Sequence, residues 1–277
     1  MTFSIVARSA DGESWGVAVA SKFLAVGSAV PAAVAGVGAV ATQAWANVAY
    51  KGLALAHLDE GATASIALQR LVDEDEGRDH RQVGIVDLDG GAATYTGPSC
   101  LDWAGGLTGD GFAVQGNILT GPEVVEAMRD AFEASDADAP LARRLLAALA
   151  AGDDAGGDSR GRQSAAVLVV KDGAGYGGFD DVAVDLRIDD HEDPVTELER
   201  LLGLHEALSP DIAEADQVED TPELMAELDG RARSLGHLHL AAWMGTHNLE
   251  AYGGDGWTAR QVVDQLREET PDWSPSA

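Results

Sequence analysis

Thr2 is the first residue whose position in the chain could give it chemistry. It follows Met1 and begins the segment TFSIVAR, in which alternating β-prone residues predict a strand. After removal of Met1 its hydroxyl would lie beside a free α-amine, whose ordinary pKa of about 7.7 to 8.0 leaves part of it neutral near pH 7. Threonine is also a good strand former. A nucleophile with its own base and a plain strand residue are therefore both open interpretations.

A polar loop that leads directly into an apolar strand is the second candidate. The loop GDDAGGDSRGRQ precedes SAAVLVV, which is typical of a buried strand. Its candidate substrate-binding residues are Asp158, Arg160, Arg162, Gln163 and Ser164. A guanidinium is planar and carries five donors, so Arg160 and Arg162 could hold a substrate carboxylate or phosphate. The alternative is that both arginines pair with acidic residues of the same loop.

Polar residues at the ends of other apolar strands complete the candidates. Asn117 follows FAVQG, and a side-chain amide at a strand end can meet a developing negative charge. We therefore predict Asn117 as an oxyanion donor, with a turn residue as the alternative. Thr42, Gln43 and Asn47 follow another apolar strand and are expected to line the same cleft.

The cysteine and histidine pattern predicts no metal site, and no motif indicates a cofactor. Cys100 is the single cysteine, which excludes an internal disulfide and fits a reducing cytosol. His237 and His239 are two residues apart, without a third ligand at metal spacing. Cys100 could be a nucleophile only if a histidine folded beside it, and we interpret it as a small apolar residue.

The charge balance limits the classes of partner. The 277 residues include 18 basic and 47 acidic side chains, for a net charge of −29. Such a field repels phosphate backbones and anionic membranes, so no nucleic-acid or membrane partner is expected. The acidic, lysine-poor composition resembles that of halophilic proteins, in which the charge keeps the surface hydrated. The acidic runs lack the spacing of a calcium loop.

One uncharged segment needs a separate test, because residues 23–50 are long enough to cross a membrane. Alanine, glycine and valine dominate this segment, and Pro31 and several glycines interrupt it. We therefore predict buried strands there. The N-terminus shows no basic region followed by an apolar core, so no signal peptide is expected and a cytoplasmic location is predicted.

The order of elements predicts an α+β protein. Turn pairs at Asp11-Gly12 and Asp89-Gly90 predict hairpins, and AVGSAVPAAVAG and VGAVATQA are expected to be strands. Helical periodicity occurs in residues 48–58, 63–74 and 194–207. Thr120 to Glu123 form a capping-box pattern before a helix, and another helix follows Pro140. Helices outside two stacked antiparallel sheets would give a four-layer αββα sandwich.

Ordered sequence blocks resemble a known family. These are TFSIVAR, VAVASKFLAVG, GVGAVATQAWANVAYKGL, QVGIVD, FAVQGNIL, GDSRGRQSAAVLVV and VDLRIDDHEDPV. In this order they resemble the prokaryotic family of domain of unknown function 1028, over roughly residues 1–207. The resemblance implies the αββα fold of the N-terminal nucleophile hydrolases, which proteasome β-subunits share. In that superfamily the hydroxyl of residue one attacks a carbonyl, and its own amine takes the proton.

The resemblance assigns roles that the residues alone do not. Thr2 becomes the nucleophile, with Ser4 as the second candidate, and Ser21 would polarise the amine. Lys22 would lower the pKa of the amine, or it is simply a surface charge. The proteasome branch has an aspartate in this region that the present Ser21-Lys22 lacks, so a proteasome-like relay is not expected. The predicted function is hydrolysis of amide bonds in a small substrate, which would be anionic if Arg160 and Arg162 bind it. The alternative is a non-catalytic, oligomeric binding or scaffold protein of the same fold.

The last part of the chain has a different character. From about residue 209 it is polar and acidic, so we predict one domain over residues 1–208 and a small helical domain over residues 209–277. WMGTHNLE and GWTARQVVDQL are weakly similar to a helical module associated with peptidoglycan binding in some family members. Glycine-rich apolar strands make a homo-oligomer the expected state.

Overall fold

The computed structural model describes residues 2–208 and 212–274. The chain divides into two compact units, residues 1–202 and residues 203–277. The boundary expected from the sequence, after residue 208, lies six residues beyond this division and remains a prediction. The helix Pro194–Leu208 spans the division.

The first unit contains both strands and helices. Its strands are β1 (Thr2–Arg8), β2 (Ser14–Ser21), β3 (Pro31–Val34), β4 (Gly38–Ala44), β5 (Arg81–Asp87), β6 (Ala92–Thr96), β7 (Gly105–Gly109), β8 (Phe112–Asn117), β9 (Ser164–Lys171) and β10 (Val182–Ile188). Its α-helices are α1 (Val26–Ala29), α2 (Ala49–Asp59), α3 (Ala64–Glu74), α4 (Glu123–Ala134), α5 (Leu141–Asp154) and α6 (Pro194–Leu208). The α+β class predicted from the sequence is confirmed.

Two antiparallel sheets organise this unit. The first sheet has the strand order β10-β9-β2-β1-β8-β7, and the second has the order β3-β4-β5-β6. Pairing is antiparallel throughout both sheets. β1 is therefore a central strand whose two neighbours, β2 and β8, both contribute to its surroundings.

Apolar side chains of the described residues pack on both faces of each sheet. Ile5 belongs to a cluster with α4, α5 and α6, whereas the next residue, Val6, belongs to a cluster between the two sheets. In the second sheet Ala39 and Ala41 face the first sheet, and Val40 packs with α2 and α3. This alternation follows from the two-residue period of a strand. It explains why strands so poor in polar residues are stable here.

Three local expectations are corrected. Val26–Ala29 form α1 instead of a strand, and the Ser164 hydroxyl accepts a hydrogen bond from the Val26 N–H at 3.1 Å. An apolar run without alternation does not reveal such a tertiary partner. β7 was not predicted, because GGLTG has few β-forming residues and its order comes from pairing with β8. α4 begins at Glu123 without a side-chain cap, so Thr120 does not complete a capping box.

None of the described helices is long and apolar enough to cross a membrane.

The second unit combines helices with a small sheet. Its helices are α7 (Pro222–Ser234), α8 (Leu240–Thr246) and α9 (Arg260–Glu269), and its strands are β11 (Gln217–Glu219), β12 (Gly253–Gly254) and β13 (Trp257–Ala259). The sheet has the order β11-β13-β12. Trp243, Leu228 and Leu266 are fully buried in its core. The short strands were not expected from the sequence, which indicated helices alone.

Candidate functional site

Polar side chains form a row across one end of the first sheet. Thr2 of β1 is paired with Asn117 of β8, and Ser21 of β2 is paired with Ser164 of β9. The register of β1 and β2 ends with Phe3 opposite Ala20, so the next pair is Thr2 and Ser21. Directly opposite residues point to the same face of a sheet. The structure thus brings together four residues that the sequence singled out, and all four are buried.

The Thr2 hydroxyl is held at this row. Its Oγ1 lies 3.1 Å from the Ser21 Oγ, within hydrogen-bond distance. Only 6% of Thr2 is exposed, although it stands at the beginning of the chain. The first residues of a domain are usually poorly ordered unless a sheet holds them, and here β2 and β8 flank the strand that Thr2 begins. Thr2 thus has a fixed hydroxyl in a low-dielectric environment.

A network of side-chain amides lies between the two sheets, directly behind Thr2. The Ser4 hydroxyl donates to Gln43 Oε1 at 2.7 Å and accepts from Gln115 Nε2 at 2.7 Å. Gln82 Oε1 accepts from Gln43 Nε2 at 2.8 Å and from Asn117 Nδ2 at 2.9 Å. The five residues are at most 2% exposed. Because buried polar groups need partners, this network fixes how the two sheets meet.

A missing side chain makes room for this network. Gly84 lies on β5, and a Cβ atom at this position would overlap the Gln115 carboxamide. Even alanine would therefore force Gln115 away from Ser4. The glycine in RQVGIVD is thus needed for the contact between the sheets.

Two of the amides hold the Thr2 backbone. The Thr2 carbonyl accepts hydrogen bonds from Gln43 Nε2 at 3.2 Å and from Asn117 Nδ2 at 3.5 Å. The Asn117 amide nitrogen thus donates hydrogen bonds to Gln82 Oε1 and to the Thr2 carbonyl in this structure. Its predicted role as an oxyanion donor remains a prediction, and the geometry gives it a role in positioning Thr2.

A cleft opens next to Asn117. Its volume is about 450 Å³, and it is lined by Ala44, Trp45, His80, Ser99, Cys100, Leu101, Asn117 and Ile118. Apolar atoms make up most of the lining. Trp45 is 78% exposed and Leu101 is 67% exposed, so both large side chains remain accessible from solvent.

The backbone is strained on both sides of this cleft. Ala44 ends β4 with a φ of 65°, and Ile118 follows β8 with a φ of 52°. A β-branched residue rarely adopts this left-handed conformation, which costs about 1–3 kcal/mol. The chain therefore changes direction immediately after a residue that contacts Thr2. That residue is Gln43 at the end of β4 and Asn117 at the end of β8. Strain of this kind is concentrated at functional sites.

An ion pair holds the segment that carries Trp45. Arg81 Nε lies 2.8 Å from Asp75 Oδ2, and Arg81 Nη1 donates to the Trp45 carbonyl at 2.6 Å. Asp75 also accepts from Asn47 Nδ2 at 3.2 Å and from the Tyr50 hydroxyl at 2.9 Å. The Arg81 guanidinium keeps the pKa of Asp75 well below its ordinary value, and burial raises the pKa of Tyr50. Asn47, a candidate for substrate binding, is part of this support.

We expect the Asp75→Asn substitution to destabilise the protein by about 2–3 kcal/mol at neutral pH, because it breaks a mostly buried ion pair. The lowered pKa means that Asp75 stabilises the fold fully above its unfolded pKa of about 3.9 and ceases to do so as the pH falls through its folded value. The difference in unfolding free energy between the two proteins should be constant from about pH 5 to pH 8 and shrink below about pH 4. Urea unfolding at each pH measures it.

Asp73→Asn is the matched control, because Asp73 is a neighbouring, exposed carboxylate that accepts one hydrogen bond from Gln69. It should change the free energy of unfolding by less than about 0.5 kcal/mol. Equal effects of the two substitutions would show that the Asp75–Arg81 pair does not support the Trp45 segment.

The arginine-bearing loop lies at the other end of the polar row, and its charges are paired. Arg160 Nη2 lies 3.2 Å from Asp158 Oδ2, and Arg162 Nε lies 2.8 Å from Asp153 Oδ2. The Lys22 N–H donates to Asp158 at 2.6 Å, and Lys22 Nζ donates to the Arg162 carbonyl at 3.0 Å. The geometry favours the alternative that the arginines pair with neighbouring acidic residues, Arg160 with Asp158 of the loop and Arg162 with Asp153 in the last turn of α5.

Three further candidates make structural contacts. Ser164 donates to the Phe23 carbonyl, and Gln163 Nε2 donates to Asp190 at 3.0 Å. The Thr42 hydroxyl donates to the Asn47 carbonyl at 3.3 Å. Thr42 and Gln43 are consecutive strand residues, so their side chains lie on opposite faces of the second sheet. Gln43 alone of this pair faces Thr2, and the substrate-binding roles of these residues remain predictions.

The cleft brings Cys100 and His80 into one lining, which the sequence could not show. Burial raises the pKa of the Cys100 thiol, whose Sγ lies 3.4 Å from the Arg81 carbonyl. A thiol with a raised pKa is a poor nucleophile at neutral pH. Cys100 is therefore a wall residue of the cleft.

Sequence reasoning missed two of the amides behind Thr2. Gln82 and Gln115 each stand in a mostly apolar strand, as Gln43 does. A glutamine at a position that must be buried signals a buried polar network, because an unpaired amide there would be costly. Trp45, Leu101 and Ile118 carried no such signal, because their roles depend on how strand ends meet.

Comparisons with known proteins place this fold among solved structures. The family described as "Family of unknown function (DUF1028)" matches residues 2–198. The crystal structure of protein SPO2555 from Silicibacter pomeroyi, of the same family, is 35% identical, with a TM-score of 0.67, over 74% of this chain and 89% of that chain. Anbu (ancestral beta-subunit) from Yersinia bercovieri is 12% identical, with a TM-score of 0.32, over 76% of this chain and 99% of that chain. No curated protein matches the chain.

Proposed function

Because the chain belongs to the family of unknown function DUF1028, its activity must be argued from its own residues. We propose that it hydrolyses an amide bond as an N-terminal nucleophile hydrolase, with Thr2 as the nucleophile once Met1 has been removed. The observation that carries the proposal is the buried Thr2 hydroxyl, 3.1 Å from the Ser21 Oγ, in a polar row whose next member, Asn117, lines a cleft.

The layer arrangement supports the proposed fold. Helices α4 and α5 cover the outer face of the first sheet, and α2 and α3 cover the outer face of the second. The inner faces pack against each other through small residues such as Ala39, Ala41 and Ala113. This packing supports the proposed αββα order of the N-terminal nucleophile hydrolases, a superfamily in which the nucleophile begins a central strand.

The proposed chemistry follows from an α-amine beside a hydroxyl. The Thr2 Oγ1 attacks the substrate carbonyl carbon while its proton passes to the neutral α-amine, directly or through a water molecule. When the C–N bond breaks, that proton goes to the leaving amine, and an ester to Thr2 remains. Water then attacks the ester, the acid product leaves, and the Thr2 hydroxyl is restored.

Neighbouring groups have separate roles in this proposal. Ser21 orients the Thr2 hydroxyl, while Gln43 and Asn117 hold the Thr2 carbonyl and so fix the direction of the strand. Lys22 contacts Asp158 and the Arg162 carbonyl, and we assign it to holding the turn after β2. A positioned nucleophile contributes to rate because little reorganisation is needed at the moment of reaction.

The first test is the intact mass of the purified protein before and after exposure to a β-lactone that acylates N-terminal threonines. Loss of Met1 and a single adduct mapped to Thr2 are expected. Retention of Met1, or an adduct that is absent or located elsewhere, would contradict the hydrolase and leave the alternative, a binding or scaffold protein whose Thr2 only starts a strand.

A further inference from the structure

The cleft next to Asn117 has a mostly apolar lining, and the proposed reaction alone does not say what binds there. We propose that it is the substrate-side-chain subsite and that it takes an uncharged, apolar group, aliphatic or aromatic, adjacent to the scissile amide. The inference rests on the proposed function, because it assumes that Thr2 is the reacting residue. It replaces the anionic substrate that the arginine-rich loop had suggested.

The position of the cleft connects it to Thr2 through both walls. Asn117 lines the cleft and is the cross-strand partner of Thr2. On the other side, Ala44 follows Gln43, whose amide donates to the Thr2 carbonyl. A group bound in the cleft therefore lies next to the two residues that hold Thr2. This placement is the one expected of a subsite beside the scissile bond.

The lining decides the chemistry of the occupant. Trp45, Leu101 and Ile118 supply large apolar surfaces, and His80 is the only residue of the lining with an ionisable basic side chain. The nearby Arg81 guanidinium donates hydrogen bonds to Asp75 and to the Trp45 carbonyl, so its charge is already paired with a carboxylate of the protein. A volume of about 450 Å³ lies in the range of small-ligand sites. These features fit a side chain of the size of leucine or phenylalanine.

Charge argues against an anionic occupant. The two loop arginines that could have bound a carboxylate contact Asp158 and Asp153. The protein carries a net charge of −29, which makes the approach of an anionic ligand unfavourable. An uncharged group avoids this repulsion and gains from burial of its apolar surface.

Cys100 provides a direct readout of occupancy, because it lines the cleft and is the single cysteine of the chain. The experiment follows alkylation of Cys100 by N-ethylmaleimide at about pH 9, where more of the thiol is ionised, in the presence of N-acetylphenylalanine amide or N-acetylaspartate amide. We expect the phenylalanine compound to slow alkylation at a concentration about tenfold lower than the aspartate compound, since burial of one large apolar side chain contributes about that much to affinity. Equal protection, stronger protection by aspartate, or none by either would overturn the inference.

A pair of variants locates the effect. Leu101→Glu places a negative charge on the cleft wall and should abolish protection by the phenylalanine compound. Leu88→Glu places the same charge on another exposed leucine, in the turn between β5 and β6, and should leave protection unchanged. Loss of protection in both variants would contradict binding in this cleft. Circular dichroism of both proteins checks that they remain folded.

The result is separable from the test of the proposed function. Protection of Cys100 without an adduct on Thr2 would retain the apolar subsite and refute the hydrolase. An adduct on Thr2, together with equal or greater protection by the aspartate compound, would retain the hydrolase and refute the apolar subsite.

Discussion

Thr2→Val should lower the rate of acylation by the β-lactone, and the turnover of any amide substrate, by at least about 10³-fold. Valine has nearly the shape of threonine and is also a good strand former, so it removes the hydroxyl with little change in packing. Losses of this size are typical when a nucleophile is removed. The measurement is the rate of adduct formation by intact mass, with removal of Met1 verified for each protein.

Two further variants control this experiment. Thr2→Ser retains a hydroxyl beside the α-amine and should keep measurable acylation. Ser28→Ala removes an exposed hydroxyl whose Oγ donates only to the Ala25 carbonyl, and it should behave as the unchanged protein. If Thr2→Val were acylated as fast as the unchanged protein, the nucleophile would be another residue.

Gln82→Leu should lower the free energy of unfolding by about 3–5 kcal/mol. Its Oε1 accepts from Gln43 and Asn117, and its Nε2 donates to the Gly116 carbonyl at 2.7 Å. Leucine would leave these groups buried without their partner, at a cost of about 1–3 kcal/mol for each unsatisfied group. The measurement is urea unfolding of the full chain followed by circular dichroism, with the slope m compared between proteins to detect a change in mechanism.

Gln69→Leu is the matched control, because Gln69 is exposed on α3 and donates to Asp73. It should shift the free energy of unfolding by less than about 0.5 kcal/mol. A loss of less than about 1 kcal/mol in Gln82→Leu would mean that the amides behind Thr2 do not hold the two sheets together.

Local pattern was sufficient for most elements of the first unit. The turn after Asp11-Gly12 and the periodicity of α2 and α3 could be predicted because both depend on neighbours within a few residues. α1 could not, since the Ser164 hydroxyl that accepts from its first N–H is 138 residues away in the sequence. The same reason hid β7, whose glycine-rich sequence is ordered by its partner strand.

The candidate site was predictable in part for a related reason. Thr2, Ser21 and Asn117 each end or begin a strand, and the hairpin register suffices to bring the first two together. The contact between Ser4 and Gln43 depends instead on how one sheet lies over the other, which no local pattern encodes. The cleft required both strand ends, at Ala44 and Ile118, and a loop that contains Leu101. Its apolar character was therefore invisible until the chain was folded.

The amides between the sheets have a further consequence for kinetic measurements. Ser4, Gln43, Gln82, Gln115 and Asn117 neither gain nor lose a proton in the working range of an enzyme. Added electrolyte screens the acidic surface, but it has no formal charge to screen among these five side chains. These five side chains therefore keep the same charge state while buffer and ionic strength vary. They contribute no inflection of their own to the pH dependence of the rate that the proposed hydrolase would show.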